Sequence, residues 1–134
     1  IAGAVDAVRA LHRMTGGRIA CASGADRFKV EMQLRQVGLH ALFAGMVFSG
    51  HEMPATKPAP DVYLAAAAAL GVAPGRCLVI EDTVTGVTAG VAAGATVWGY
   101  APVGAGHSSA VALMAVGAAR VLTNMADLPG LLAS

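Results

Sequence analysis

The chain has 134 residues, of which 56% are hydrophobic and 13% charged, and a formal net charge of +1. That length fits one domain and the apolar content is ample for a core, which excludes a disordered chain. Lys and Arg are scattered and there is no acidic tail, so no basic groove for nucleic acid is expected.

Val5, Val8, Leu11 and Met14 recur at helical spacing, with Asp6, Arg9 and His12 on other faces. They predict a surface helix closed by Gly16 and Gly17. Charges this early also argue against the apolar core of a signal peptide. Residues 18–22 read as a short buried strand ending in Ser23-Gly24-Ala25-Asp26. Ser23 followed three residues later by Asp26 resembles a capping box, and free N–H groups at such a helix start can dock an anion; plain capping is the competing reading. Phe28, Met32, Leu34 and Val37 then mark a helix that stops at Gly38.

Residues 39–44 predict a helical turn and 46–49 a brief strand. The loop over 50–60 holds His51, Glu52, Lys57 and Pro58, and Pro60 with Asp61 suits the first turn of the next helix. Lys57 is thereby expected on a stiff platform. A lone loop lysine is ordinarily solvated surface; beside carboxylates and an anion site it can neutralise phosphate oxygens. An Ala-rich helix is predicted over 62–70, stopping at Gly71, and a turn with Pro74 over 72–76.

The stretch that organises the chain is LVIEDTVTG, residues 78–86, which continues a strand predicted over 77–80. An unbroken apolar run reads as a strand buried on both faces, and carboxylates at its C-terminal end, here Glu81 and Asp82, sit where parallel α/β sheets keep their ligands. Adjacent carboxylates repel unless a cation accompanies them, and hard oxygen donors without nearby Cys or His favour Mg²⁺ over zinc. The competing reading has Asp82 capping the helix that begins near Thr83 while Glu81 points to water. Taken alone, that capping reading is favoured.

A helix over 85–93 is expected to pack closely through Gly86 and Gly90, followed by a strand over 96–100 and a Gly-rich loop over 103–106. A helix over 108–116, a strand over 120–123 and a terminal helical turn over 127–132 complete the series. Strands alternating with helices at this rhythm predict a parallel sheet wound on both faces. The uncharged span 83–119 is interrupted by Gly, Thr, Ser and Pro and holds no strongly apolar run of about 18 residues, so no membrane span is expected. Cys21 and Cys77 lack CxxC spacing and read as reduced core thiols of a cytoplasmic protein. His12, His40, His51 and His107 are dispersed and read as surface or capping residues, although His51 and Glu52 sit near enough to Lys57 to line its pocket. Trp98 and Tyr100 read as sheet-edge packing and the methionines as core filling.

Ser23 after one strand, Lys57 in a KPAPD loop and Glu81-Asp82 in EDTVTG after another strand resemble motifs two, three and four of the haloacid dehalogenase-like hydrolase superfamily. Within it the chain is most similar to the β-phosphoglucomutase and phosphoglycolate-phosphatase branch. Its signatures KPxPDxY and EDSxxGxxAA stand here at 57–63 and 81–89, with Thr83 in place of Ser and Gly90 in place of Ala. The resemblance runs from about Gly3 to Pro102. It implies phosphoryl transfer from a small phosphorylated metabolite through an aspartyl-phosphate. Ser23 and the Gly24 backbone would hold phosphate, Lys57 would act catalytically by balancing charge on phosphate and nucleophile, and Glu81 and Asp82 would position Mg²⁺. Such a division of labour suits phosphoryl transfer, which relies on positioning and charge stabilisation.

The family's first motif, DxDxT, supplies the nucleophile, and nothing in residues 1–21 matches it; Asp6 stands alone in a helix pattern. The resemblance therefore implies a partial, Rossmann-like α/β core over residues 1–134, lacking the N-terminal strand and helical cap and inactive alone. The absent strand would lie between those at 18–22 and 77–80. Its loss leaves two half-sheets with unpaired edges. Another chain could supply it, the half-sheets could pair directly and bring Cys21 and Cys77 closer, or it could belong to a longer protein; an open edge also makes self-association possible. The leading expectation is a Mg²⁺-dependent phosphatase or phosphomutase. A non-catalytic binding module with an open sheet edge is the alternative. A nucleotide-binding domain is disfavoured because no GxGxxG or GxxxxGK follows a strand.

Overall fold

The computed structural model of the chain describes residues 3–104 and 108–133. Its helices are α1 Ala4–Met14, α2 Arg27–Gln36, α3 His40–Phe43, α4 Asp61–Leu70, α5 Val84–Ala92, α6 Ala110–Ala115 and α7 Leu128–Ala133. Its strands are β1 Cys21–Ser23, β2 Val47–Ser49, β3 Leu78–Glu81, β4 Thr96–Tyr100 and β5 Arg120–Leu122. Part of the predicted 103–106 loop, Ala105 and Gly106, lies outside the described residues, as does His107.

Boundary shifts from the sequence reading have local causes. β1 starts at Cys21 because Arg18 and Ile19 are spent closing α1, their N–H groups donating to the carbonyls of Thr15 and Gly17 at 3.4 and 2.9 Å. Ser23 does not form a capping box. Asp26 caps α2 by accepting the Lys29 N–H at 3.0 Å, while Ser23 Oγ accepts the Ala25 N–H at 3.1 Å and closes the turn before it. β3 extends to Glu81, which pairs with Gly99 in the ladder. That extension moves the cap of α5 past Asp82 to Thr83, whose Oγ1 accepts the Gly86 N–H at 3.0 Å.

All strand pairs are parallel, but they form two separate sheets, β1-β2 and β3-β4-β5. The direct closure of the half-sheets considered from sequence is not formed: among the described residues β1 pairs with β2 alone and β3 with β4 alone. Cys21 and Cys77 are both free, and Cys77 precedes β3, its Sγ donating to the Ala73 carbonyl at 3.5 Å.

Side chains alternating along β3 and β4 explain how helices cover both faces. Val79 and Val97 pack with Val87 of α5 and Leu113 of α6. Ile80, Trp98 and Tyr100 pack the other way, against Leu11 of α1 and Leu128 of α7. Val5 and Val8 of α1 also pack with Val30, Phe43 and Val47. One amphipathic helix thus reaches the core of both sheets. α5 lies close to β3 and β4 because Gly90 has no side chain: a Cβ there would stand 2.6 Å from Val97 Cγ2.

Two packing expectations are corrected. Trp98 and Tyr100 lie on β4, the central strand of its sheet rather than an edge; Tyr100 is buried and Arg120 stacks 4.9 Å over the Trp98 ring. Met125 is core, whereas Met14, Met32 and Met114 are exposed on helix surfaces. Among the described residues no helix is long and apolar enough to cross a membrane.

Candidate active site

The C-terminal ends of β1 and β3 and the loop before α4 border one cleft of about 620 Å³, whose lining includes Ser23, Gly24, His51, Lys57, Glu81 and Asp82. Each reaches it because a parallel strand delivers its last residues and the following turn to the same end of a sheet. The structure thus brings together the five residues singled out from sequence, Ser23, Gly24, Lys57, Glu81 and Asp82. It does not bring Glu52, which turns to Arg27 instead.

Glu81 shares the α5-facing side of its sheet with Val79 and Val97, and does not point to water; it is 9% exposed. A buried carboxylate is tolerated only when paired and hydrogen-bonded. Here Lys57 Nζ forms an ion pair with Glu81 Oε2, and the Tyr63 hydroxyl donates to that same oxygen. The Lys57 ammonium lies 5.0 Å from the centroid of the Tyr63 ring, within cation–π range. Burial raises the Tyr63 phenol far above its ordinary value, and the charge and hydrogen bond of Glu81 raise it further. The hydroxyl therefore keeps its proton and acts as a donor. Room for the carboxylate comes from Gly86 on the first turn of α5, where any Cβ would fall on the Glu81 carboxylate.

Asp82 lies one residue beyond the strand and is exposed, while Glu81 is withdrawn. Mg²⁺ retains several waters and takes one or two carboxylates together with phosphate oxygens. Glu81 and Asp82 fit that demand as two adjacent oxygen donors that both line the cleft. Among the described residues no group of three or more His, Cys, Asp or Glu forms a metal cage. Cys21, at the start of β1, feels the same ammonium: burial pushes its thiol up and the Lys57 charge draws it partly back.

Tyr63 is the member that residue-by-residue reading missed. It sits in the third position of an Ala-rich helix, where an aromatic reads as packing; its signal was the final letter of KPxPDxY. Ser49 was also passed over. It is fully buried at the end of β2, where its Oγ donates to the Ala25 carbonyl at 2.6 Å and so ties β2 to the loop carrying Ser23 and Gly24.

Near the cleft, Arg27 grips Glu52 through Nε at 2.9 and 3.1 Å and Nη2 at 2.7 Å. That hydrogen bonding holds the exposed Glu52 carboxyl below its usual range. A depressed folded-state value means the pair stabilises above the unfolded-state value and ceases to as pH falls through the depressed one. An Arg27→Gln variant is therefore expected to be slightly less stable than the parent at neutral pH and equal to it in acid, as read from urea melts across that window.

A family model for haloacid dehalogenase-like hydrolases matches residues 1–94. The chain therefore belongs to the haloacid dehalogenase-like hydrolase family. Among solved structures it is similar to a family hydrolase from Deinococcus radiodurans R1 with bound phosphate and sodium, at 41% identity and a TM-score of 0.86 over 99% of this chain and 58% of that one. It is also similar to CbbY from Rhodobacter sphaeroides in complex with phosphate, at 26% identity and a TM-score of 0.76 over 95% of this chain and 55% of that one. Among curated proteins it is 37% identical over 91 residues to the fructose-1-phosphate phosphatase YqaB of Escherichia coli, covering 67% of this chain and 46% of the relative. The chain thus spans about half the length of these relatives.

Proposed function

We propose that this chain supplies the phosphate-binding and metal-binding part of a Mg²⁺-dependent phosphatase or phosphomutase acting on a small phosphorylated metabolite. The observation that carries the reading is the convergence of Ser23-Gly24, Lys57 and Glu81-Asp82, from three distant segments, on one cleft. Ser23 Oγ and the Gly24 backbone receive the phosphate. Lys57, placed by the loop before α4, spreads positive charge toward the equatorial oxygens, where phosphoryl transfer accumulates negative charge. Glu81 and Asp82 hold Mg²⁺, which when bound offsets the phosphate charge.

The nucleophile in this reading is an aspartate carried outside these 134 residues. Its carboxylate oxygen forms a bond to phosphorus as the bond to the substrate oxygen breaks, and the leaving oxygen takes a proton. Water then attacks phosphorus, releasing phosphate and regenerating the carboxylate; in a mutase a sugar hydroxyl attacks in its place. The 134 residues alone should show no turnover. A phosphate-ester panel with Mg²⁺, run on this chain and on a longer chain bearing a DxD segment, tests the reading. Turnover by the longer chain alone is expected. Turnover by the 134 residues, or by neither, contradicts it.

The free thiols of Cys21 and Cys77 are in keeping with a reducing compartment such as the cytoplasm. A second reading, a binding module that offers a sheet edge to a partner or to another copy, is favoured by the edges of β1 and β3 that no strand among the described residues pairs. A monodisperse monomer by size-exclusion mass measurement removes it.

A further inference from the structure

The contacts around Glu81 assign a task to Tyr63. Its hydroxyl reaches Glu81 Oε2 while its ring lies beneath the Lys57 ammonium, so one side chain touches both the group proposed to face phosphate and the group proposed to hold metal. Tyr63 stands on α4, whose N-terminus follows the Lys57 loop and whose Val62, Ala66 and Ala67 are buried. Helix packing therefore fixes where the ring and hydroxyl stand, and the longer side chains must conform to them.

We propose that Tyr63 is a positioning residue: its hydroxyl, together with Lys57, fixes Glu81 Oε2 and so sets how the carboxylate stands toward the metal site, while its ring keeps the Lys57 ammonium at the cleft. Without this donor the direction of the Glu81 carboxylate is set on its Oε2 side by the long, flexible Lys57 alone, and Lys57 without the ring loses the platform on which it lies. The two halves of one side chain thus serve two ligands. That separation is what a purely space-filling tyrosine would not show. The inference rests on the phosphate and Mg²⁺ reading of the cleft.

Two variants test it by calorimetric titration of the chain with inorganic phosphate and, separately, with Mg²⁺ in the presence of phosphate. Tyr63→Phe keeps the ring and removes the donor. It is expected to weaken Mg²⁺ binding about tenfold, the low end of what loss of an outer partner to a metal ligand produces, and to leave phosphate binding without metal within twofold. Tyr63→Leu removes both and is expected to weaken phosphate binding as well. In the longer chain, Tyr63→Phe should lower kcat with KM little changed. Mg²⁺ binding within twofold of the parent in Tyr63→Phe overturns the proposal. So does a parallel fall of both affinities and of Tm in the two variants, which marks a packing residue. A parent that binds neither phosphate nor Mg²⁺ overturns the underlying reading of the cleft instead.

Discussion

An alanine at Gly86 is expected to disable the cleft while leaving the fold standing. A Cβ on the first turn of α5 would occupy the space of the Glu81 carboxylate, so either the helix or the carboxylate must yield. The helix is held by the Thr83 cap and by buried Val87, Ala89 and Gly90. The carboxylate is the softer partner, and its displacement breaks the contacts with Lys57 and Tyr63. Overpacking such a site costs about 1–3 kcal/mol, and alanine returns about 1 kcal/mol in helix propensity, so a net loss of up to about 2 kcal/mol is expected from urea melts. Phosphate binding with Mg²⁺ should fall about tenfold or more, the factor that about 1.4 kcal/mol represents. Gly130 of α7 is the control: nothing lies within 4 Å of a Cβ there, so alanine should be neutral or stabilising. A Gly86→Ala protein that binds phosphate and Mg²⁺ like its parent would mean Glu81 does not hold its observed position.

Lys57→Met is expected to be the most destabilising change at the cleft. Lys57 and Glu81 side chains are only 14% and 9% exposed, so removing the ammonium leaves a carboxylate with little solvent and one remaining donor, Tyr63. Breaking a buried pair on one side costs about 3 kcal/mol or more, mostly the penalty of the charge left behind. Adding Glu81→Gln removes that charge yet keeps a carbonyl for the Tyr63 hydroxyl. The double variant should therefore recover at least half of the loss in urea melts, a non-additivity of about 1.5 kcal/mol or more. Additive losses would show that the pair does not act as a unit. Phosphate binding should be lost in both.

The order of strands and helices was legible because apolar periodicity and Gly stops are local signals. The gathering of Ser23, Lys57, Glu81 and Asp82 was legible for another reason: each follows or ends an element in a parallel fold, and such ends share one side. What lay beyond reach depended on distant partners. Glu52 looked like a pocket residue until its partner, Arg27, 25 residues upstream, turned it away. Asp82 looked like the cap of α5 until pairing between Glu81 and Gly99 lengthened β3 and passed that task to Thr83. Likewise, no short window tells whether β1 will find β3, since composition marks a strand but not its neighbour.

The most direct test is a chemical-shift map of the labelled chain titrated with inorganic phosphate in the presence of Mg²⁺. Perturbations gathered on Ser23, Gly24, Lys57 and Asp82 are predicted, with Tyr63 and Gly86 following. Perturbations confined to the smaller, arginine-lined cavity at Arg9, His12 and Arg13, or none at all, would contradict the account.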